Sequence, residues 1–227
     1  MADWETLYKE IGIVQKEPSK FVKEAVEFFK QQNLKKILDL GCGTGRHTIY
    51  LLENGFEVYG CDASESALKI AKKIIKDVEF KKCDMTSLPY EKNFFDGILC
   101  HFVIQHGKIE QIKKAISEIY RILRKNGILY LSVPSVKHPE YFTGKEIEPR
   151  TKINIDAIDG NVPHHYFTEN EIRNLFNKFD IIKLKHAEFP SERDPNKKAA
   201  AYLLYAKNSD PSRLSAHFVR CGPNGHA

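Results

Sequence analysis

The stretch Ile37-Leu38-Asp39-Leu40-Gly41-Cys42-Gly43-Thr44-Gly45-Arg46 constrains this chain more than any other. A short apolar run, too short for a helix, breaks into three glycines at alternate positions, and an apolar-periodic helix begins near His47. A buried strand that turns through glycines into a helix is the nucleotide grip of doubly wound α/β folds. The glycines let the backbone turn tightly and approach a ligand that a Cβ would repel.

The rest of the chain supplies what such a loop needs around it. Strands are expected at about 36–40, 57–61, 78–82, 94–100 and 128–133, each separated from the next by a helical pattern or a short turn. The helix before the first strand buries Phe21, Val22, Ala25, Val26 and Phe29 behind an N-cap at Ser19. Ile109, Ile112, Ile116, Ile119, Tyr120 and Leu123 mark a strongly amphipathic helix, with Asn126-Gly127 as its stop. Strands alternating with helices of this length make a parallel sheet covered on both faces.

The alternation then fails. Residues 135–166 are long, polar and weakly periodic, with Pro139, Pro149, Gly160 and Pro163, and an insertion of that length is more often functional than idle. Thr168-Glu169-Asn170-Glu171 is a capping box. Two more strands, at 179–185 and about 199–207, are joined by a link with two prolines and no room for a helix, so the last strand is expected antiparallel. The reading is one domain over 1–208, with 1–34 as a helical lid, and 209–227 as a disordered or artificially added tail.

Length and charge narrow the setting. The chain has 227 residues and a net charge of +5, from 35 basic and 30 acidic residues, which does not demand a nucleic-acid partner. Lys69, Lys72, Lys73, Lys76, Lys81 and Lys82 read as a solvated face. No apolar run approaches the ~18 residues of a membrane span, and Met1-Ala2-Asp3-Trp4-Glu5 lacks the plan of a signal peptide. A cytoplasmic protein is expected. Five cysteines without Cys-x-x-Cys spacing point to reduced thiols. Cys42, Cys61, Cys83 and Cys100 fall at successive strand ends, too far apart along a sheet edge for a metal site, so no metal is expected.

In the dinucleotide fingerprint a third glycine would stand where Arg46 stands, which argues against NAD. Asp39-x-Gly41-x-Gly43-x-Gly45 instead resembles motif I of the class I S-adenosylmethionine-dependent methyltransferases, of the small-molecule, methyltransferase-domain 11/25-like type. Asp62 after strand 2, Asp84-Met85 after strand 3, Asn93-Phe94-Phe95-Asp96 before strand 4 and 123–129 before strand 5 follow in that family's order. The resemblance implies a Rossmann-like three-layer sandwich with a seven-stranded, mostly parallel sheet in the order 3-2-1-4-5-7-6.

It also implies roles. Asp39 would orient the loop and meet the methionine ammonium, the backbone of Gly41, Cys42, Gly43 and Gly45 would pass against S-adenosylmethionine, and Asp62 with Ala63 would take the ribose. Asp84 would accept from the adenine amino group, Met85 would pack on the ring, Cys100 would leave room, and Tyr8 with Trp4 would form an aromatic lid. The product would be S-adenosylhomocysteine.

The methyl group already sits on an activated sulfonium, so the protein mainly positions the reactants and supplies a base where one is needed. His101 and His106, after strand 4, are the candidates for shaping the acceptor site; His164, His165 and Tyr166 are a second cluster. The chain lacks the Asp/Asn-Pro-Pro-aromatic motif of amino-methylating nucleic-acid enzymes, since 100–103 read Cys-His-Phe-Val. A small-molecule acceptor is therefore expected, for a monomer or homodimer. Protein or RNA methylation, and a non-catalytic cofactor-binding subunit, stay open as alternatives.

Overall fold

Leu38 and Leu40 pack on one side of their strand and Ile37 on the other, and all three are buried. The same alternation runs through the neighbouring strands: Ile98 and Cys100 face one layer and Leu99 the other, as do Leu129 and Leu131 against Ile128 and Tyr130. A sheet covered on both faces needs such continuous apolar runs. In the computed structural model, which describes residues 4–13, 15–155, 161–192 and 194–209, that sheet has seven strands.

The elements are α1 (Trp4–Ile11), α2 (Lys20–Gln31), β1 (Lys36–Leu40), α3 (Arg46–Glu53), β2 (Glu57–Asp62), α4 (Glu65–Ile74), β3 (Glu79–Lys82), β4 (Phe95–His101), α5 (Ile109–Ile122) and β5 (Leu123–Pro134). A 3-10 turn (Pro139–Phe142) and the short strands β6 (Lys145–Glu148), β7 (Thr151–Ile153) and β8 (His164–His165) follow. The described chain closes with α6 (Glu169–Leu175), β9 (Phe179–Pro190) and β10 (Lys198–Asn208). Strand order is β3-β2-β1-β4-β5-β10-β9, with β10 antiparallel to both β5 and β9. This is the expected topology. The order reverses beside β1, so the loops after β1 and β4 open a crevice at the carboxyl edge of the sheet.

The α2 face of Phe21, Val22, Ala25, Val26 and Phe29 closes one side, and α5 with Ile112, Ala115, Ile116, Ile119 and Ile122 closes the other. Ser19 caps α2 through Phe21 N at 3.3 Å, and Thr168 caps α6 through Glu171 N at 3.3 Å. No helix among the described residues is long and apolar enough to cross a membrane.

Two expectations need correction. α5 stops at Ile122 rather than at Asn126-Gly127, because Leu123 already pairs with Phe95 and β5 begins there. Asn126, at φ +63°, marks a bend inside that longer strand instead of a helix end. The insertion is not irregular throughout: β6, β7 and β8 form a small antiparallel sheet, turned at Arg150 with φ +63°. Strands of two to four residues are too short to show a period of two in the sequence. Of the tail, Ser209 is described and residues 210–227, including Cys221, lie outside the described residues.

Candidate active site

The loop from β1 into α3 is built on left-handed backbone. Gly41, Gly43 and Gly45 have φ of +72°, +53° and +93°. A Cβ would fall 2.4 Å from a Val103 methyl at Gly41, 2.6 Å from the Tyr8 hydroxyl at Gly43, and 2.3 Å from Ile75 Cδ1 at Gly45. The first two keep the loop open to the crevice, while the third lets α3 approach α4. The N–H groups of Gly41 and Cys42 both donate to the Cys61 carbonyl, at 2.8 and 3.0 Å, tying the loop to β2.

Asp62, at the end of β2, bridges two elements. Its Oδ2 accepts from Gly43 N at 2.8 Å and its Oδ1 from Ser64 N at 2.9 Å. Each oxygen keeps acceptor capacity for a further hydroxyl. Burial raises its carboxyl despite these donors. Asp39 is buried behind the loop, and its Oδ2 accepts from Thr48 Oγ1 at 2.7 Å. Burial, only partly offset by Thr48, pushes Asp39 up to about 7. Asp84 is exposed, with Oδ1 accepting from both the N–H and the hydroxyl of Thr86 at 2.7 Å.

α1 lies over this edge and is pinned by one side chain. Glu5 accepts from Ser66 Oγ at 2.7 Å, Ser66 N at 3.0 Å and Ser64 Oγ at 2.8 Å, at the amino end of α4. Those donors, the Ser66 hydroxyl foremost, hold Glu5 down to about 2. A carboxylate there also meets the positive end of the helix dipole. The same helix places Tyr8 over Gly43 and sets the Trp4 ring edge-on to His106, with centroids 4.9 Å apart.

A cavity of about 360 Å³ joins these groups to the histidines. Of the residues singled out from the sequence, Tyr8, Gly41, Cys42, Gly43, Asp62, Ala63, Asp84 and Met85 line it, and so do His101, His106, His164 and Tyr166. Asp39, Gly45, Cys100 and His165 do not. Asp39 is turned to Thr48, Gly45 starts α3 against Ile75, and Cys100 is fully buried in the core.

His165 sits inside an anchor: its Nδ1 is 2.7 Å from Thr151 Oγ1 and its Nε2 3.2 Å from Glu171, which also accepts from Arg150 at 2.8 and 3.2 Å. With His165 N donating to Gln105 O at 2.9 Å, this anchor fastens the insertion to the loop carrying His106. The His106 and His164 rings then meet edge to face at 4.6 Å.

Sequence reasoning left out a polar group at the far end of the cavity. Glu192, in the β9–β10 link, hydrogen-bonds Ser19 Oγ and takes Arg46 at 3.3 and 3.4 Å. It also lies 3.9 Å from His101 Nε2. Glu192, Arg46, His47, Gln105, His138 and Glu140 all line the cavity. Arg46 had a signal, since the first turn of α3 must face the same crevice as the glycines. Glu192 had none, because it stands between two prolines and meets partners 146 and 173 positions away. Among the described residues no cluster of His, Cys, Asp and Glu has the arrangement of a metal site, and the four described thiols are free and buried.

Residues 38–131 match the family model described as a methyltransferase domain. The demethylmenaquinone methyltransferase of Thermotoga maritima is 34% identical over 132 residues, 56% of each chain. The chain spans about half the length of such curated relatives. Among solved structures, a S-adenosylmethionine-dependent methyltransferase of Methanosarcina mazei superposes with a TM-score of 0.72 at 21% identity, covering 85% of this chain and 99% of that one. The 1,6-didemethyltoxoflavin-N1-methyltransferase of Burkholderia thailandensis, solved with 1,6-didemethyltoxoflavin and S-adenosylhomocysteine, gives 0.63 at 20% identity over 84% of this chain and 79% of that one.

Proposed function

We propose that the cavity holds S-adenosylmethionine and passes its methyl group to a small organic acceptor, a reading that the match of residues 38–131 to a methyltransferase-domain model supports. The observation that carries this reading is that one cavity is lined by both the glycine loop with Asp62 and the His101–His106 side. The residues suit the cofactor. Gly41 and Gly43 present bare backbone, the two Asp62 oxygens have capacity for two ribose hydroxyls, and Met85 with Asp84 flanks the place of a purine. Asp39, behind the loop, acts on the ammonium end through the loop it supports.

When bound, the cofactor supplies an electrophilic methyl group, and the chain must hold the acceptor in line with it. His106, wedged between Trp4 and His164, joins the lid to the insertion at that point. Tyr166, buried beneath the 3-10 turn, supports the opposite side. The Thermotoga relative, named as a demethylmenaquinone methyltransferase, supports a hydroxylated aromatic ring as the acceptor class.

Calorimetry with S-adenosylmethionine, S-adenosylhomocysteine and NAD tests the cofactor assignment. Both sulfur ligands are expected to bind and NAD is not. Binding of NAD alone would sink the reading. Given binding, methyl incorporation into naphthohydroquinones tests the acceptor class.

A further inference from the structure

His101 is buried, with a side chain 3% exposed, yet it lines the cavity. Its Nδ1 lies 2.8 Å from Ser132 Oγ, which already accepts from Phe102 N at 3.1 Å. The serine oxygen keeps a lone pair that can take an Nδ1–H, and in that tautomer the buried Nε2 carries the ring's lone pair. Nε2 has no hydrogen-bond partner among the described residues. The nearest charge is Glu192 at 3.9 Å, too far for a hydrogen bond. Glu192 does not need an N–H from the ring, since Ser19 and Arg46 already serve its oxygens.

A hydroxyl carries one proton, so an acceptor hydroxyl that reaches the ring donates to Nε2 and not also to the Glu192 carboxylate 3.9 Å away. The Arg46–Glu192 ion pair beside the ring is largely buried; such a pair contributes little stability over an apolar replacement, so its presence in a cavity wall calls for a chemical reason. We propose that His101 Nε2 accepts a proton from a hydroxyl of a methyl acceptor held in the cavity, and that Glu192 is the positioning residue that stabilises the resulting imidazolium. This rests on the methyl-transfer reading above. The acceptor's O–H bond breaks, its electron pair stays on the acceptor, and the proton forms an N–H bond at Nε2, to be released to water after the methyl group has been taken. The substrate class follows: a phenol or enol, whose oxygen or adjacent ring carbon becomes the nucleophile on ionisation.

The charges around the ring fit this. Burial lowers His101, so it is neutral and receptive at neutral pH, with Glu192 opposing that shift and Arg46 adding to it. His47, edge-on to His101 at 5.1 Å, is also held neutral by burial, and its Nε2 accepts from Ser19 N at 3.4 Å. Tyr130, from β5, stacks at 6.3 Å and stays protonated. Among the described residues Arg46 is the permanent cation paired with Glu192, and it balances the second negative charge when a phenolate forms.

The test uses the full chain labelled with 15N, with and without S-adenosylhomocysteine, and long-range 1H–15N spectra assigned through His101→Gln. His101 is expected neutral at pH 7 with its proton on Nδ1, and Glu192→Gln should lower its titration by about one unit, tenfold in proton affinity. A proton fixed on Nε2, or a titration unmoved by Glu192→Gln, overturns the proposal. Independently of that variant, 4-nitrophenol should ionise at lower pH when bound to the wild-type chain than when bound to His101→Gln; identical titrations overturn it as well. Failure of S-adenosylmethionine to bind the wild-type chain would strike the methyl-transfer reading itself, and the spectra would still report on the pair.

Discussion

The wall formed by residues 41–44, Asp62 and Asp84 hangs from the carboxyl ends of three adjacent parallel strands, β1, β2 and β3. The wall facing it is gathered from the end of β4, the insertion and the β9–β10 link. The first is held by backbone: Gly41 and Cys42 on Cys61, Cys83 N on Asp62 O at 3.0 Å. The second is held by side chains reaching across the molecule, such as Glu192 to Ser19 and Arg46, and Glu171 to Arg150 and His165. A wall set by sheet register can change little without breaking the fold. One set by side-chain pairs can change its acceptor by a few substitutions.

The largest expected effect tests the first wall. Gly43→Val puts a β-branched side chain at φ +53°, with its Cβ 2.6 Å from the Tyr8 hydroxyl. Affinity for S-adenosylhomocysteine should fall by more than about 100-fold, since strain and lost space add. Calorimetry measures it. Retained affinity would show that the loop does not carry the cofactor. Asp62→Ala comes next: losing charge-assisted hydrogen bonds should cost about 1–3 kcal/mol of binding, roughly 10- to 100-fold. An unchanged dissociation constant would remove Asp62 from the ribose role.

These two walls differ in the same way in what the sequence discloses. Asp39, Gly41, Gly43 and Asp62 are legible because local rules place them: each lies at or just past the carboxyl end of a strand, and strand order follows from alternation and handedness. Even there the sequence could not tell that Asp39 turns inward to Thr48, or that Gly45 serves helix packing. The acceptor wall is legible only in part. His101 ends β4 and His106 follows it, so position alone puts both at the carboxyl edge of the sheet. Glu192 was invisible because its role depends on the β9–β10 hairpin folding back to within reach of residue 19, and no periodicity encodes that. His165 shows the opposite case, since a His-His-Tyr cluster reads as chemistry until the ring is seen off the cavity lining, with Nδ1 2.7 Å from Thr151 Oγ1 and Nε2 3.2 Å from Glu171.

A smaller effect tests the second wall through that anchor. Burial would raise Glu171, but His165 and Arg150 outweigh it and hold the carboxyl down to about 2. A depressed folded value means that the anchor stabilises the fold above the ordinary carboxylate range near 4.5 and that this contribution is lost as pH falls toward 2. Glu171→Gln should cost about 1–2 kcal/mol at pH 7, read by chemical denaturation. The loss should shrink toward zero in acid, where the wild-type side chain is itself protonated. Cofactor affinity should barely move, because the anchor touches the insertion and not the glycine loop. A large loss of cofactor affinity would mean that the two walls are mechanically one.

The least effect is expected where α1 joins the walls. Glu5 is the clamp between that helix and the first turn of α4, and Leu7 is the one buried residue of α1. A short helix at the edge of the fold can open without the rest of the molecule, so Glu5→Gln should leave the denaturation midpoint unchanged. It should nonetheless speed amide exchange in α1, because a helix of eight residues is marginal without its tertiary contacts. The sign with pH follows from the depressed value of Glu5: the clamp holds above about 4.5 and opens as pH falls toward 2. If α1 exchanges no faster in the variant, Trp4 and Tyr8 are held by their ring contacts with His106 and the loop, and the lid belongs to the acceptor wall rather than to the cofactor wall.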